Sequence, residues 1–232
     1  MDLMLLGYEN VVTILLFIVG MIIVLWAQNR VTGTYKRMKK VETTKGITGV
    51  EVARKILDAN GLEKVHVVEV QGQLTDHYDP SRKVVRLSKE IFHGSSIASI
   101  AVAAHEVGHA IQDKENYTFM RIRSFMAPIV NFVTYAGYFV ALISLVAGIT
   151  GYIKVGIFMV LASLLFQLVT LPVEFNASSR AEKQLKKLNL SSPSEDRKVK
   201  QMLDAAAMTY VASVISSMFN LLRLVIMLRN ND

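Results

Sequence analysis

Long runs of apolar residues, each near the length that crosses a bilayer, alternate in this chain with strongly charged segments. The run 11–27, VVTILLFIVGMIIVLWA, carries no ionisable side chain, and the runs 128–149 and 155–172 have the same character. A hydrocarbon core about 30 Å thick takes roughly 20 such residues as a helix. Of the 232 residues 52% are hydrophobic, and they fall in blocks rather than scattered as in a soluble core. The first run follows the acids Asp2 and Glu9. A secretory signal would put basic residues ahead of a shorter apolar stretch, so this run is expected to stay as an anchor. Only TGYIK (150–154) separates the next two runs, which predicts a transmembrane hairpin. A fourth run, about 205–222, contains Ser213, Ser216, Ser217 and Asn220 and meets Arg223 at its end.

The expected organisation is therefore a mainly α membrane protein with about four transmembrane helices and a small cytoplasmic α+β domain. Its segments are an anchor at 1–27, a basic linker and folded domain at 28–127, a hairpin at 128–173, a second polar segment at 174–204, and a last helix with its tail at 205–232. Orientation follows from the basic residues, because cytoplasmic segments near membrane crossings hold an excess of lysine and arginine. Segments 28–127 and 175–204 hold 23 of the 26. Both are expected in the cytoplasm of a bacterial cell, with a multi-pass chain in the cytoplasmic membrane and both termini outside. The net charge of +7 fits that topology and an attraction to anionic lipid. TYKRMKK lies beside the anchor, so a nucleic-acid partner is not expected.

Within 28–127 a small domain is legible. Thr48 and Glu51 form a capping-box pattern at the head of an amphipathic helix that Gly61 would stop. The β-branched runs VHVVEV (65–70) and KVVRLS (83–88) predict two strands around the turn-rich GQLTDHYDPS. SSIASIAVAAHEVGHAIQDK follows, with serines to cap a helix and alanines to favour it.

That helix carries HEVGH at 105–109. Residues four apart share a helix face, so His105 and His109 can each turn one nitrogen to a single ion. Glu106 is one position round, placed to take a proton from a water on that ion, as in zinc peptidases. A histidine pair of this spacing also arises by chance on surfaces. The predicted capped helix, the strands before it and a suitable third ligand favour the metal reading. The chain has no cysteine, so every ligand must be His, Asp or Glu. No histidine follows His109, and Glu174, in LPVEFNASSRAE at the end of the third apolar run, is the expected third ligand. The hairpin returns the chain to the face it left. A carboxylate beside Leu171, Val173 and Phe175 at the bilayer edge is also costly unless paired.

LTDHYDP, VAAHEVGHAIQ and LPVEFNASSRA resemble the YugP-type neutral zinc metallopeptidases, small bacterial multi-pass membrane proteins. The resemblance covers nearly the whole chain; more distantly, the layout is similar to HtpX-type membrane proteases. It implies a gluzincin-like site with Zn2+ on His105, His109 and Glu174, Glu106 as catalytic base, and a role in membrane-protein quality control. By resemblance to the HtpX-like group, Arg180 would help hold the oxyanion or the substrate carbonyl; its plainer reading is an interfacial cation with its stem in apolar surroundings. That group commonly has an aspartate four residues after the ligand glutamate to support a histidine. Ser178 stands there instead, so that support is not expected to carry over.

His77 and Tyr78 fall in the turn before the second strand, where such folds offer an edge to an extended peptide. They are candidate substrate contacts, against a turn-forming role for DHYDP. His66 and His93 are assigned nothing. The expected activity is zinc-dependent endopeptidase cleavage of a polypeptide, itself a membrane protein, at the cytoplasmic face. One alternative is a catalytically inactive metal-binding membrane scaffold or regulator, which would have no use for Glu106 and would normally close its site with a fourth protein ligand. Another is a divalent-metal transporter, which should bury ionisable residues at the bilayer midplane, whereas the second and third runs have none.

Overall fold

The computed structural model describes residues 2–146 and 152–231, so the end of the second apolar run and part of the 150–154 turn lie outside the described residues. Ten elements follow in order: α1 (Asp2–Met38), α2 (Gly49–Ala59), β1 (His66–Val70), β2 (His77–Asp79), β3 (Val84–Ser88), α3 (Lys89–His93), α4 (Ile97–Lys114), α5 (Thr118–Val146), α6 (Tyr152–Lys187) and α7 (Pro193–Asn231). The protein is thus mainly helical, with one three-stranded sheet. Among the described residues, three helices contain a stretch long and apolar enough to cross a membrane: Val11–Met38, Ile153–Lys187 and Pro193–Arg229.

The chain divides into two compact units. The first comprises Met1–Gln28, Ile122–Leu171 and Thr209–Asp232. It is built from the apolar parts of α1, α5, α6 and α7, and its outward side chains are large and apolar, among them Ile14, Ile22, Phe132, Leu165 and Val225. Surfaces of this kind are stable against lipid and not against water. Inside it, Ser217 Oγ donates to Gln167 Oε1 at 3.0 Å, and the Arg223 guanidinium lies 5.1 Å from the centre of the Phe17 ring.

The second unit comprises Asn29–Arg121 and Pro172–Met208. Its helices begin where the local chemistry directs. Thr48 and Glu51 form the complete capping box of α2, and the Ser96 side chain accepts from the Ser99 N–H at the head of α4. The sheet has strand order β1-β3-β2, with β1 parallel and β2 antiparallel to β3. The third strand, β2, falls inside the stretch expected to be a turn: three residues are too short for an alternating pattern to register. A single core joins Ile56 and Leu57 of α2, Val85 and Leu87 of β3, Ile100 and Val107 of α4, Val173 and Leu185 of α6, and Met202 and Leu203 of α7.

Two prolines that bound apolar runs in the sequence lie inside helices here: Pro128 within α5 and Pro172 within α6. A proline removes one backbone hydrogen bond, a loss that helices in membrane proteins tolerate. The consequence at Pro172 is structural continuity. One unbroken helix runs from an apolar stretch into the polar unit, carrying Glu174 with it.

In the second unit α4 and α6 meet backbone to backbone. A Cβ added to Gly108 would lie 2.7 Å from the carbonyl oxygen of Ala177 and 3.2 Å from its Cα. Ala104, Ala177 and Ala181, also small, are buried. Gly108 therefore sets how closely the two helices approach. Gly108→Ala is expected to force them apart, at a cost of about 1–3 kcal/mol as for other overpacked cores. Its thermal unfolding midpoint in detergent should fall and its zinc affinity should weaken; an unchanged midpoint with unchanged affinity would contradict this packing.

Candidate metal centre

The α4–α6 crossing brings together the three groups that the sequence singled out as ligands. His105 and His109 lie one turn apart on α4, their rings edge to face with centroids 4.8 Å apart. Glu174 enters from α6. Its Oε2 is 3.3 Å from His105 Nε2 and 3.7 Å from His109 Nε2, and the ligand atoms of the three residues lie within 4.8 Å of one another. Donors placed about 2.0–2.1 Å from a tetrahedral zinc stand about 3.3 Å from each other, so this spacing fits that ion. Glu174 and His109 are buried, and His105 is partly open.

The other nitrogen of each imidazole is occupied as a ligand histidine requires. His109 Nδ1 lies 2.9 Å from Gln112 Oε1. The Gln112 amide nitrogen donates to the Val173 carbonyl at 2.8 Å and to Asn176 Oδ1 at 2.9 Å, which fixes the amide orientation and leaves Oε1 as the acceptor. His109 must then carry its proton on Nδ1, and Nε2 keeps its lone pair for a cation. Ser178 Oγ lies 3.2 Å from His105 Nδ1 and can hold that ring in the same tautomer. Although a serine there was not expected to take over the histidine support, its hydroxyl occupies the position. Sequence reasoning missed Gln112 altogether; its place one turn after His109 on the same face was the available signal.

Glu106 is buried beside His105 on α4. Burial pushes its carboxyl up to about 7, against the opposing pull of His105 and of a hydrogen bond from the Tyr78 backbone N–H. The remaining candidates divide. Tyr78 is buried; its hydroxyl donates to Asp113 Oδ2 at 2.7 Å, and Lys83 reaches the same carboxylate. That ties β2 to α4 and occupies the Tyr78 side chain. His77 is exposed, with Nδ1 2.8 Å from the Thr75 carbonyl. Arg180 is held on both sides, its Nε donating to Asn176 Oδ1 at 2.7 Å and a terminal nitrogen 2.7 Å from Glu115 Oε2. A polar chain thus runs from His109 through Gln112 and Asn176 to Arg180 and Glu115.

One buried and one partly open imidazole converge with a buried carboxylate, and a second carboxylate stands alongside, the donor set of a metal-dependent hydrolase class of site. The chain belongs to the family described as "Putative neutral zinc metallopeptidase", which it matches over residues 13–229. It is similar to the "Putative membrane protease YugP" of Bacillus subtilis (strain 168), with 46% identity over 205 residues, covering 88% of this chain and 91% of that protein. No solved structure matches the chain.

The support around the histidines generates a test. Gln112→Leu keeps the bulk but removes the acceptor for His109 and one donor each from the Val173 carbonyl and Asn176. Zinc affinity should drop by about 10–100-fold, with a smaller loss for Ser178→Ala, whose partner is nearer solvent. Competition with a chromophoric chelator measures both; equal affinities for parent and Gln112→Leu would remove Gln112 from the site.

Proposed function

We propose that the chain is a membrane-embedded zinc endopeptidase that hydrolyses peptide bonds at the cytoplasmic face of the membrane. His105, His109 and Glu174 would hold the metal in a gluzincin-like arrangement, and Glu106 would be the general base. The observation that carries the reading is the convergence of two imidazole Nε2 atoms on one Glu174 oxygen, with Glu106 in the adjacent helix position. Zinc bound there would supply Lewis acidity, polarising a carbonyl and making water more acidic.

Glu106 does the proton work. Its carboxylate takes a proton from the attacking water as the new C–O bond forms. It then returns that proton to the amine nitrogen as the C–N bond breaks. Burial raises the proton affinity of this carboxyl, which suits a group that accepts a proton and then gives it back. The Tyr78 backbone N–H keeps that carboxyl in place. An extended substrate would lie along β2, the sheet edge nearest α4 in chain order, with the exposed His77 side chain within its reach. Tyr78, with its hydroxyl given to Asp113, serves by anchoring β2. Arg180, clasped by Asn176 and Glu115, would stabilise a substrate carbonyl only by partly exchanging those partners.

The proposed topology has four crossings, with α5 as the partner of α6 in a hairpin. Large side chains stand exposed along α5, including Phe125, Ile129, Phe132, Phe139 and Ile143, and lipid is the solvent that suits them. The concentration of lysine and arginine in 28–127 and 175–204 supports a cytoplasmic site. Its substrates would be loops, tails or loosened segments of membrane proteins, as quality control requires.

Glu106→Gln should retain one zinc per chain and lose cleavage of an unfolded protein in detergent by at least about 10²–10⁴-fold, the usual worth of a positioned general base. Cleavage at the parental rate would exclude Glu106 from the chemistry. Because the chain has no cysteine, single substitutions report topology directly. In cells, Lys64→Cys and Lys198→Cys should react with a membrane-impermeant maleimide only after the cytoplasmic membrane is opened; labelling of intact cells would reverse the orientation.

A further inference from the structure

A polar pocket in the second unit lies apart from the metal centre. It has a volume of about 320 Å³ and is lined by Arg30, Thr34 and Arg37 of α1 and by Gln201 and Asp204 of α7. Spacings of four and three put the α1 residues on one helix face, and a spacing of three does the same for the α7 pair. Its position along both helices is informative. Arg30 is three residues beyond the end of the apolar run 11–27, and Asp204 immediately precedes the run that begins near 205. At 1.5 Å per residue, Arg30 stands about 4.5 Å past the apolar stretch of α1. The headgroup layer is about 5–8 Å deep on each side of the hydrocarbon, so Arg30 falls within it, while Arg37, ten residues past the run and about 15 Å along α1, stands on its aqueous side. Both helices line the pocket close to where their sequences change from apolar to polar.

The lining chemistry selects an anion. Arg30 and Arg37 present two guanidinium groups, with the Thr34 hydroxyl and the Gln201 amide as further donors. Asp204 opposes them, but Lys200 Nζ lies 3.1 Å from its Oδ1 and offsets its charge. Guanidinium forks match the oxygens of a phosphate, and a basic pocket between helices at the cytoplasmic boundary suits a lipid phosphate. A pocket of this volume is large enough for a phosphodiester headgroup.

We propose that this pocket binds the phosphate of an anionic phospholipid headgroup, with Arg30 and Arg37 as its principal contacts. The site is independent of the peptidase reading, and so is its test, which reads stability rather than cleavage. The full-length, zinc-loaded protein in neutral detergent is titrated with phosphatidylglycerol, phosphatidylcholine or inorganic phosphate while its thermal unfolding midpoint is followed.

Phosphatidylglycerol should raise the midpoint saturably, and the other two should not at matched concentration. The Arg30→Gln/Arg37→Gln protein should need at least about tenfold more phosphatidylglycerol for half the effect, since two charge-assisted hydrogen bonds are lost. Lys36→Gln/Lys40→Gln removes equal charge from the last turn of α1 and the turn after it, outside the pocket, and should leave the half-saturating concentration within about twofold. Should the double arginine variant fail to fold, Arg37→Gln alone must still shift half-saturation more than the lysine pair does. Equal protection by phosphatidylcholine would overturn the proposal, and so would equal protection by inorganic phosphate. An unchanged titration of the arginine variants, or an equal shift from the lysine pair, would overturn it as well.

Discussion

The close crossing of α4 on α6 is the contact on which the rest of the site depends. Gly108 admits the Ala177 carbonyl where any side chain would stand in its way. Only at that separation can His105 and His109 share an ion with Glu174. The crossing is held apolar by buried alanines and polar by one amide: Gln112 donates to the Val173 carbonyl, immediately before Glu174, while accepting from His109. One side chain therefore fixes both the rotation of an imidazole and the register of the helix that brings the acid.

Burial makes this arrangement demanding. Glu106 and Glu174 are both buried, as are His109 and Gln112. Buried polar groups cost free energy unless each finds a partner. Here partners are supplied in sequence, from His109 through Gln112 and Asn176 to Arg180 and Glu115, and from His105 to Ser178. The two carboxylates differ in their surroundings. Glu174 faces two imidazoles, whereas burial is the main influence on Glu106 and raises its proton affinity. Environments that separate two acids in this way suit one to binding a cation and the other to moving a proton.

Much of this was legible because it rests on short-range rules. The capping box at Thr48 and Glu51, the helix around HEVGH and the strands at 66–70 and 84–88 follow from local pattern. Glu174 was legible for a different reason: the hairpin expected between it and the histidines would return the chain to the face it left. The features missed depend on tertiary contact. β2 exists because β3 pairs with it, and its three residues carry no pattern of their own. Gln112 and Asn176 read as ordinary polar residues until α6 packs on α4. Ser178 differs from the aspartate of the related pattern, yet a hydroxyl at hydrogen-bonding distance can do the same work for His105. The apolar runs mark the cores of α1, α6 and α7 but not their lengths, since α6 and α7 continue far into polar sequence where packing sustains them.

Two imidazoles from one helix and a carboxylate from another would bind a single zinc and leave a position open. X-ray absorption at the zinc edge, on the parent and on Glu174→Ala, reads that ligand set. The parent should hold one zinc per chain, bound only by nitrogen and oxygen at about 2.0–2.1 Å, with the outer-shell signature of two imidazoles. The variant should lose bound zinc sharply. A site with no imidazole or with three, or a Glu174→Ala protein with full zinc and an unchanged spectrum, would contradict it.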